Sequence, residues 1–122
     1  MIWNLNLNER ALNAIIQNKK QVEIRANKSG SFYNLIQKDD IIIFSFNDSK
    51  IFCKVEYSKH YDSIHELLVT EKPERCLSSY NPNLDFNTNI ELGIKSIESI
   101  PNYKDEITQN GVFAIHFSLI SL

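Results

Sequence analysis

Two apolar runs joined by a short polar segment lie near the middle of the sequence. They span Ile41–Phe46 and Ile51–Tyr57, and the letters "NDSK" stand between them. In the second run apolar and polar side chains alternate, which is typical of a β-strand with one buried face. The polar segment has the composition of a turn. This pattern predicts a β-hairpin in which Cys53 is a small buried hydrophobic residue.

Similar alternation predicts three further strands. The segment "IWNLNLN" at the start places its apolar side chains on one side, and Asn8 then serves as the N-cap of a helix through "ERALNAIIQN". The segment "KQVEIRA" forms the next strand. At the other end of the sequence Gly111 marks a turn into the last strand, "VFAIHFSLI".

Helical signals separate the hairpin from the last strand. A Ser-x-x-Glu capping box, Ser63–Glu66, opens a short helix through Leu68, and "TEKPERCL" predicts a second short helix with Thr70 as its cap. A further box, Thr88–Glu91, opens a helix that ends before Pro101. "FYNLIQ" predicts a single helical turn, and "SSYNPNLDFN" a loop in which we expect disorder or an insertion.

This order of strands and helices predicts an α+β fold. Because a long last strand has to return to the sheet, we expect a small mixed or closed β-barrel decorated by short helices. The length of 122 residues fits one domain over positions 1–122, with enough chain to bury a core.

The charge balance limits the possible partners. The formal net charge is −2, from 13 Lys and Arg against 15 Asp and Glu, so tight non-specific binding to nucleic acid would need a local basic patch. The longest apolar run, Ile41–Phe46, is too short to cross a bilayer, and "MIWNLNLNER" lacks the pattern of a secretory signal. Two cysteines form no disulfide framework and no metal-ligand spacing. We therefore expect a cytoplasmic protein without a membrane partner.

The strand within "NKKQVEIRAN" carries an acid and a base on one face. Glu23 and Arg25 alternate with Val22 and Ile24. Residue types alone favour a solvent-facing side, on which such charges pair with neighbouring strands. The alternative is a cleft in which Arg25 binds a phosphate or a carbonyl edge, and Glu23 accepts a proton or ligates a metal.

Four segments, in this order, resemble the ASCH domain, a branch of the PUA-like superfamily of small β-barrels. "KKQVEIR" resembles its Lys-x-x-Glu-x-Arg pattern and "DDIIIF" its strand entry. "YDSIHELL" resembles the segment after its hairpin, and "GVFAIHF" its closing strand. Asp39 stands where the family has glycine, and aspartate is among the few residue types that tolerate a positive φ there.

The resemblance implies a role in RNA metabolism. Some members are amidohydrolases that act on an acetylated cytidine, and at least one resembles a metal-dependent ribonuclease. In the amidohydrolases a lysine and a threonine of this strand act with a distal glutamate. Lys20 matches the lysine, and the distal glutamate matches Glu71 or Glu74. Glu23 stands at the threonine position, so the hydroxyl nucleophile is missing.

These observations predict a domain that binds RNA, a nucleoside or a nucleotide in a cleft. Lys20 and Arg25 would bind the ligand, and Tyr33 and Tyr61 would stack on bases, unless these rings pack in the core or at its rim. One alternative is a small hydrolase in which Glu23 is the base or a metal ligand and Lys20 stabilises negative charge. The other is an interaction module with a vestigial cleft. The sequence identifies no cofactor.

Overall fold

The computed structural model describes residues 1–121. They form five strands, five α-helices and one 3₁₀ turn. No helix among these residues has the length and apolar character that a membrane crossing requires. The elements in chain order are β1 (Ile2–Asn6), α1 (Glu9–Ile16), β2 (Val22–Ala26), the 3₁₀ turn (Tyr33–Leu35), β3 (Ile41–Phe46), β4 (Ser49–Tyr61), α2 (Ile64–Glu71), α3 (Pro73–Cys76), α4 (Phe86–Glu98), α5 (Tyr103–Asn110) and β5 (Val112–Ser121).

The strands form one curled, mixed sheet in the order β1-β3-β4-β5-β2. β1 and β3 are parallel, and the other pairs are antiparallel. The register of β4 against β5 shifts between Val55 and Tyr57, and such a bulge bends a strand. The sheet is a half-barrel with β1 and β2 at its edges, and short helices decorate it. The predicted α+β fold with a small curled barrel is confirmed.

The sheet buries apolar side chains on both faces. One core lies between α1 and one face of the sheet and includes Leu12, Phe44 and Phe117. The second lies between α2–α5 and the β2–β5 side, and it includes Leu68 and Val112. β2 and the first half of β5 therefore have packed structure on both faces. A polar side chain in this region needs a partner, because burying it unpaired is unfavourable.

Several local predictions are confirmed. The hairpin is present, with a two-residue turn at Asn47 and Asp48, and β4 is longer than the predicted arm. Asn47 has φ of 52°, as the turns of tight hairpins require. The Asn8 and Ser63 side chains accept hydrogen bonds from Ala11 N and Glu66 N, as N-caps do.

The helix boundaries after α2 differ from the prediction. Thr70 is not a cap but lies inside α2, and α3 begins at Pro73, a residue well suited to the first helical position. α4 begins three residues before the predicted site, because Asp85 accepts the hydrogen bond from Thr88 N. The α5 helix was not predicted, since the only buried side chain that it contributes is Ile107.

The loop between α3 and α4 is fixed by one buried side chain. Asn89 is 3% exposed. Its amide donates to the carbonyl oxygens of Asn81, Leu84 and Asp85, and its Oδ1 accepts from Asn81 N. The loop in which we expected disorder or an insertion thus has a defined conformation.

Candidate functional site

The polar face of β2 points into the protein. Glu23 is 7% exposed and Lys20, just before the strand, is 6% exposed. The expectation of a solvent-facing side is wrong. Glu23 pairs in register with Ile115, which belongs to the core that includes Leu12, and the Arg25 side chain contacts Asn6 of β1 and Tyr33 of the 3₁₀ turn. Glu23 and Arg25 lie on the same side of β2, as residues two apart in a strand must.

Lys20 and Glu23 form an ion pair with little remaining hydrogen-bonding capacity. Lys20 Nζ lies 3.2 Å from Glu23 Oε1 and donates to the carbonyl oxygens of Val22 and Cys76, both at 2.7 Å. These three contacts use the three N–H donors of an ammonium group. Glu23 Oε2 accepts from Arg25 Nε at 2.8 Å. Both carboxylate oxygens of Glu23 are therefore engaged.

Arg25 links the two edges of the sheet. Its Nη2 donates to the carbonyl oxygen of Asn6 in β1 at 2.7 Å. Its Nη1 makes a long contact of 3.5 Å with the Tyr33 hydroxyl, and its Cζ lies 5.8 Å from the centre of the Tyr33 ring. Each terminal nitrogen carries two N–H groups and uses one of them within the described residues. Arg25 can therefore donate to a ligand without breaking these contacts.

The cluster is ionised and carries one net positive charge. Burial raises the pKa of Glu23, but the charges of Lys20 and Arg25 outweigh burial and hold it below its ordinary value. Burial lowers the pKa of Arg25, and the Glu23 carboxylate more than offsets this, so the guanidinium remains charged. Two cations and one anion give a local charge of +1 in a protein whose formal net charge is −2.

These three residues border a pocket of about 290 Å³. The volume lies near the lower end of the range of about 300–1,000 Å³ that is typical of small-molecule sites. Apolar side chains form one part of the wall, and polar and charged groups form another. The apolar residues are Leu7, Ile24, Leu77, Ile97, Ile100 and Tyr103, and the polar ones include Asn6, Asn8, Ser78, Ser79 and Ser96.

The predicted stacking tyrosines do not line this pocket. Tyr33 lies behind Arg25 and packs against Phe32. Tyr61 is 2% exposed and belongs to the core, where its hydroxyl donates to Glu71. The aromatic residue that does line the pocket is Tyr103, at the start of α5. Tyr103 was not among the predicted site residues, because its helix was not predicted.

The two candidate distal glutamates lie elsewhere. Glu71 is 3% exposed and accepts hydrogen bonds from the hydroxyls of Tyr57 and Tyr61. Glu74 is exposed and borders a neighbouring pocket. The pocket around Lys20, Glu23 and Arg25 thus contains neither of them.

The cysteines are buried structural residues. Burial raises the pKa of the Cys53 thiol and that of the Cys76 thiol to about 12, so both stay protonated near neutral pH. Cys76 contributes its carbonyl oxygen to Lys20. Among residues 1–121, no three His, Cys, Asp or Glu side chains are grouped so that they could hold a metal ion.

Comparison with known proteins shows the fold. No protein-family model and no curated protein matches this chain. The crystal structure of the hypothetical protein PH0355 is similar over 98% of this chain and 100% of its own, with 28% identity and a TM-score of 0.81. The solution structure of protein PF0455 from Pyrococcus furiosus is similar over the whole of both chains, with 23% identity and a TM-score of 0.64.

Proposed function

We propose that this protein is an ASCH-type domain that binds RNA or a nucleotide-like ligand in the pocket of Lys20, Glu23 and Arg25. The observation that carries the proposal is Arg25, which keeps unused N–H groups at a pocket with a local charge of +1. Arginine N–H groups suit phosphate oxygens and the acceptor edges of bases. The four sequence segments that resemble the ASCH domain support the same function.

The pocket wall suits a flat ring with a polar edge. Ile24, Leu77 and Tyr103 offer apolar contact to a ring, while the serine and asparagine side chains can bind its edge. The volume of about 290 Å³ favours a single base or nucleoside at a time. Lys20 would act as a positioning residue in this site, because its donors hold Glu23 and two backbone carbonyls.

The geometry favours binding over hydrolysis. A general base works best with a pKa near the working pH, whereas the pKa of Glu23 is lowered. Lys20 has no spare donor for developing negative charge. The alternative of an interaction module with a vestigial cleft agrees less well with the structure. The salt bridges of Glu23 border a pocket, and Arg25 keeps unused N–H donors there. Buried cysteine thiols fit the cytoplasmic location that we propose.

The test is binding of labelled single-stranded RNA, measured by fluorescence polarisation at low and moderate salt. Arg25→Ala should weaken binding about tenfold or more, since a hydrogen bond to a charged group contributes about 1.5–3 kcal/mol. Lys28→Ala removes the same charge at an exposed position and is the matched control, for which we expect less than a threefold change.

The same titrations should be repeated with nucleosides and nucleoside monophosphates. If a folded Arg25→Ala protein binds every ligand of the parent with the same affinity and salt dependence, the pocket is not the binding site.

A further inference from the structure

A second pocket shares part of its wall with the first one. Its volume is about 440 Å³. Leu77 and Ser78 border both pockets, so a ligand that crosses these two residues can reach both. The remaining residues around the second pocket are Ala14, Lys19, Gln21, Glu74, Arg75, Tyr80 and Pro82.

Neighbouring residues of the segment that precedes β2 border the two pockets. Lys20 borders the first pocket, whereas its neighbours Lys19 and Gln21 border the second. Gln21 N donates to the carbonyl oxygen of Arg75 at 2.8 Å and thereby fixes α3 beside the start of β2. The backbone that positions the first pocket therefore positions the second as well.

The second pocket also combines a positive charge with a ring surface. Lys19 and Arg75 are cations and Glu74 is an anion, which gives a local charge of +1. Tyr80 supplies an aromatic ring of the kind on which bases stack, and Pro82 adds apolar surface beside it.

Arg75 retains an unused donor. Its Nε is buried and has no hydrogen-bond partner among the described residues. Buried polar groups are nearly always paired, so this nitrogen is unusual. The positive charge of Arg75 opposes the rise that burial causes in the pKa of Tyr57 and adds to the fall that burial causes in the pKa of His116, while Glu71 acts on both groups in the opposite direction. This Nε is closed off from the pocket, so the other atoms of the Arg75 side chain are the ones that border the pocket and can contact a ligand.

We infer that the second pocket binds the next nucleotide of a single strand whose first nucleotide occupies the pocket of Lys20, Glu23 and Arg25. This inference rests on the proposed function and narrows it, because the preferred ligand becomes a single-stranded oligonucleotide of at least two units. Tyr80 stacks on the second base, and Lys19 and Arg75 bind phosphate. Unstacked bases in two separate pockets require a single strand.

The experiment compares 5′-phosphorylated oligonucleotides of one, two and four units, for each of the four bases, by isothermal titration calorimetry. The parent protein should bind two units at least about tenfold more tightly than one, because stacking of one base contributes about that factor. Tyr80→Ala and Arg75→Gln should each remove most of this gain and leave the affinity for one unit within about twofold of the parent. Lys72→Gln, an exposed charge change beside α3, should keep the gain.

The outcomes separate this inference from the proposed function. If one unit binds in an Arg25-dependent way and two units bind no more tightly, the second pocket is not a subsite, while the first pocket stands. A gain that survives in both Tyr80→Ala and Arg75→Gln also overturns the inference. If neither length binds, both proposals fail. Tyr80 lies in the loop, so its variant remains informative even if Arg75→Gln fails to fold.

Discussion

Two buried glutamates occupy very different surroundings in this protein. Glu23 is 7% exposed and Glu71 is 3% exposed, so burial alone does not separate them. Glu23 contacts two cations at a pocket, whereas Glu71 accepts hydrogen bonds from the half-buried Tyr57 and from Tyr61 of the core. The Glu23 cluster differs from the Glu71 cluster in that it borders a pocket at which Arg25 keeps unused N–H groups.

The Glu71 cluster joins two elements of the fold. Its tyrosines, Tyr57 and Tyr61, belong to β4, and Glu71 ends α2. Burial raises the pKa of both hydroxyls, and the Glu71 carboxylate raises them further. The phenols thus remain neutral donors at neutral pH, and they fix α2 on the sheet. We assign this cluster to stability.

The largest effect should come from breaking the ion pair at Glu23. Lys20→Met leaves a buried carboxylate with one cation and removes the donor from two carbonyl oxygens. We expect the free energy of unfolding to fall by about 3–5 kcal/mol. Urea denaturation measures this free energy. The control is Lys19→Met at the exposed neighbouring position, for which we expect a free energy of unfolding within about 0.5 kcal/mol of the parent. Equal stabilities of the two variants would show that Lys20 is not a structural partner of Glu23.

A smaller loss of stability is expected at the other glutamate. Glu71→Gln keeps one acceptor for the two phenols but removes the charge, so unfolding should become easier by about 1–3 kcal/mol. Glu74→Gln, at an exposed position nearby, should change stability by less than about 0.5 kcal/mol.

Ligand binding tests whether the two clusters differ in role. At a temperature where both variants stay folded, Glu71→Gln should bind RNA with the affinity of the parent protein. Glu23→Gln should bind RNA more weakly than the parent. Weakened binding in both would contradict the division into a binding cluster and a structural cluster.

The two clusters should also respond to pH in opposite directions. The folded-state pKa of Glu23 is lowered, so its contribution to stability is present above about 4.5 and is lost as the pH falls through the folded-state pKa. The pKa values of Tyr57 and Tyr61 are raised, so their contribution is present below about 10 and is lost as the pH rises beyond it. We expect these changes to be smaller than those of the substitutions, because every side chain remains in place.

Urea denaturation across the pH range, with two variants, separates the clusters. In a plot of the free energy of unfolding against pH, Glu23→Gln should reduce the slope at acid pH and leave the alkaline part unchanged. Tyr57→Phe should reduce the slope at alkaline pH and leave the acid part unchanged. Some acid dependence should persist in Glu23→Gln, because hydrogen bonds from Trp3 and Thr88 lower the pKa values of Asp40 and Asp85. An alkaline slope that Tyr57→Phe does not alter would remove Tyr57 from this explanation.

The parts of the fold that could be predicted depend on short-range signals. Alternation located the strands, and the caps at Asn8 and Ser63 follow from hydrogen bonds within one helical turn. Asp39 adopts φ of 72°, as its place in the turn required. The α5 helix escaped prediction because it lacks an apolar stripe. The start of α4 was misplaced because Asp85 and Thr88 both resemble caps.

The candidate site was predictable in its residues but not in its surroundings. Alternation placed Glu23 and Arg25 on one face of β2, and the structure brings Lys20 to them. Their burial depends on contacts with parts of the chain that are distant in sequence, such as Cys76 for Lys20 and Asn6 for Arg25, so no local pattern could reveal it. Tyr61 is enclosed for a similar reason, since its partner Glu71 comes from the following helix.

The smallest effect should be that of Tyr33→Phe. Tyr33 contacts Arg25 only through a long hydrogen bond of 3.5 Å and the edge of a cation–π geometry at 5.8 Å, and Phe keeps the ring. Because Glu23 and Asn6 still hold the guanidinium, we expect stability to change by less than about 0.5 kcal/mol and RNA affinity by less than twofold. Urea denaturation and fluorescence polarisation measure the two quantities. A loss of binding as large as that of Arg25→Ala would mean that Tyr33 contacts the ligand directly, and the site would then extend past Arg25 towards the 3₁₀ turn.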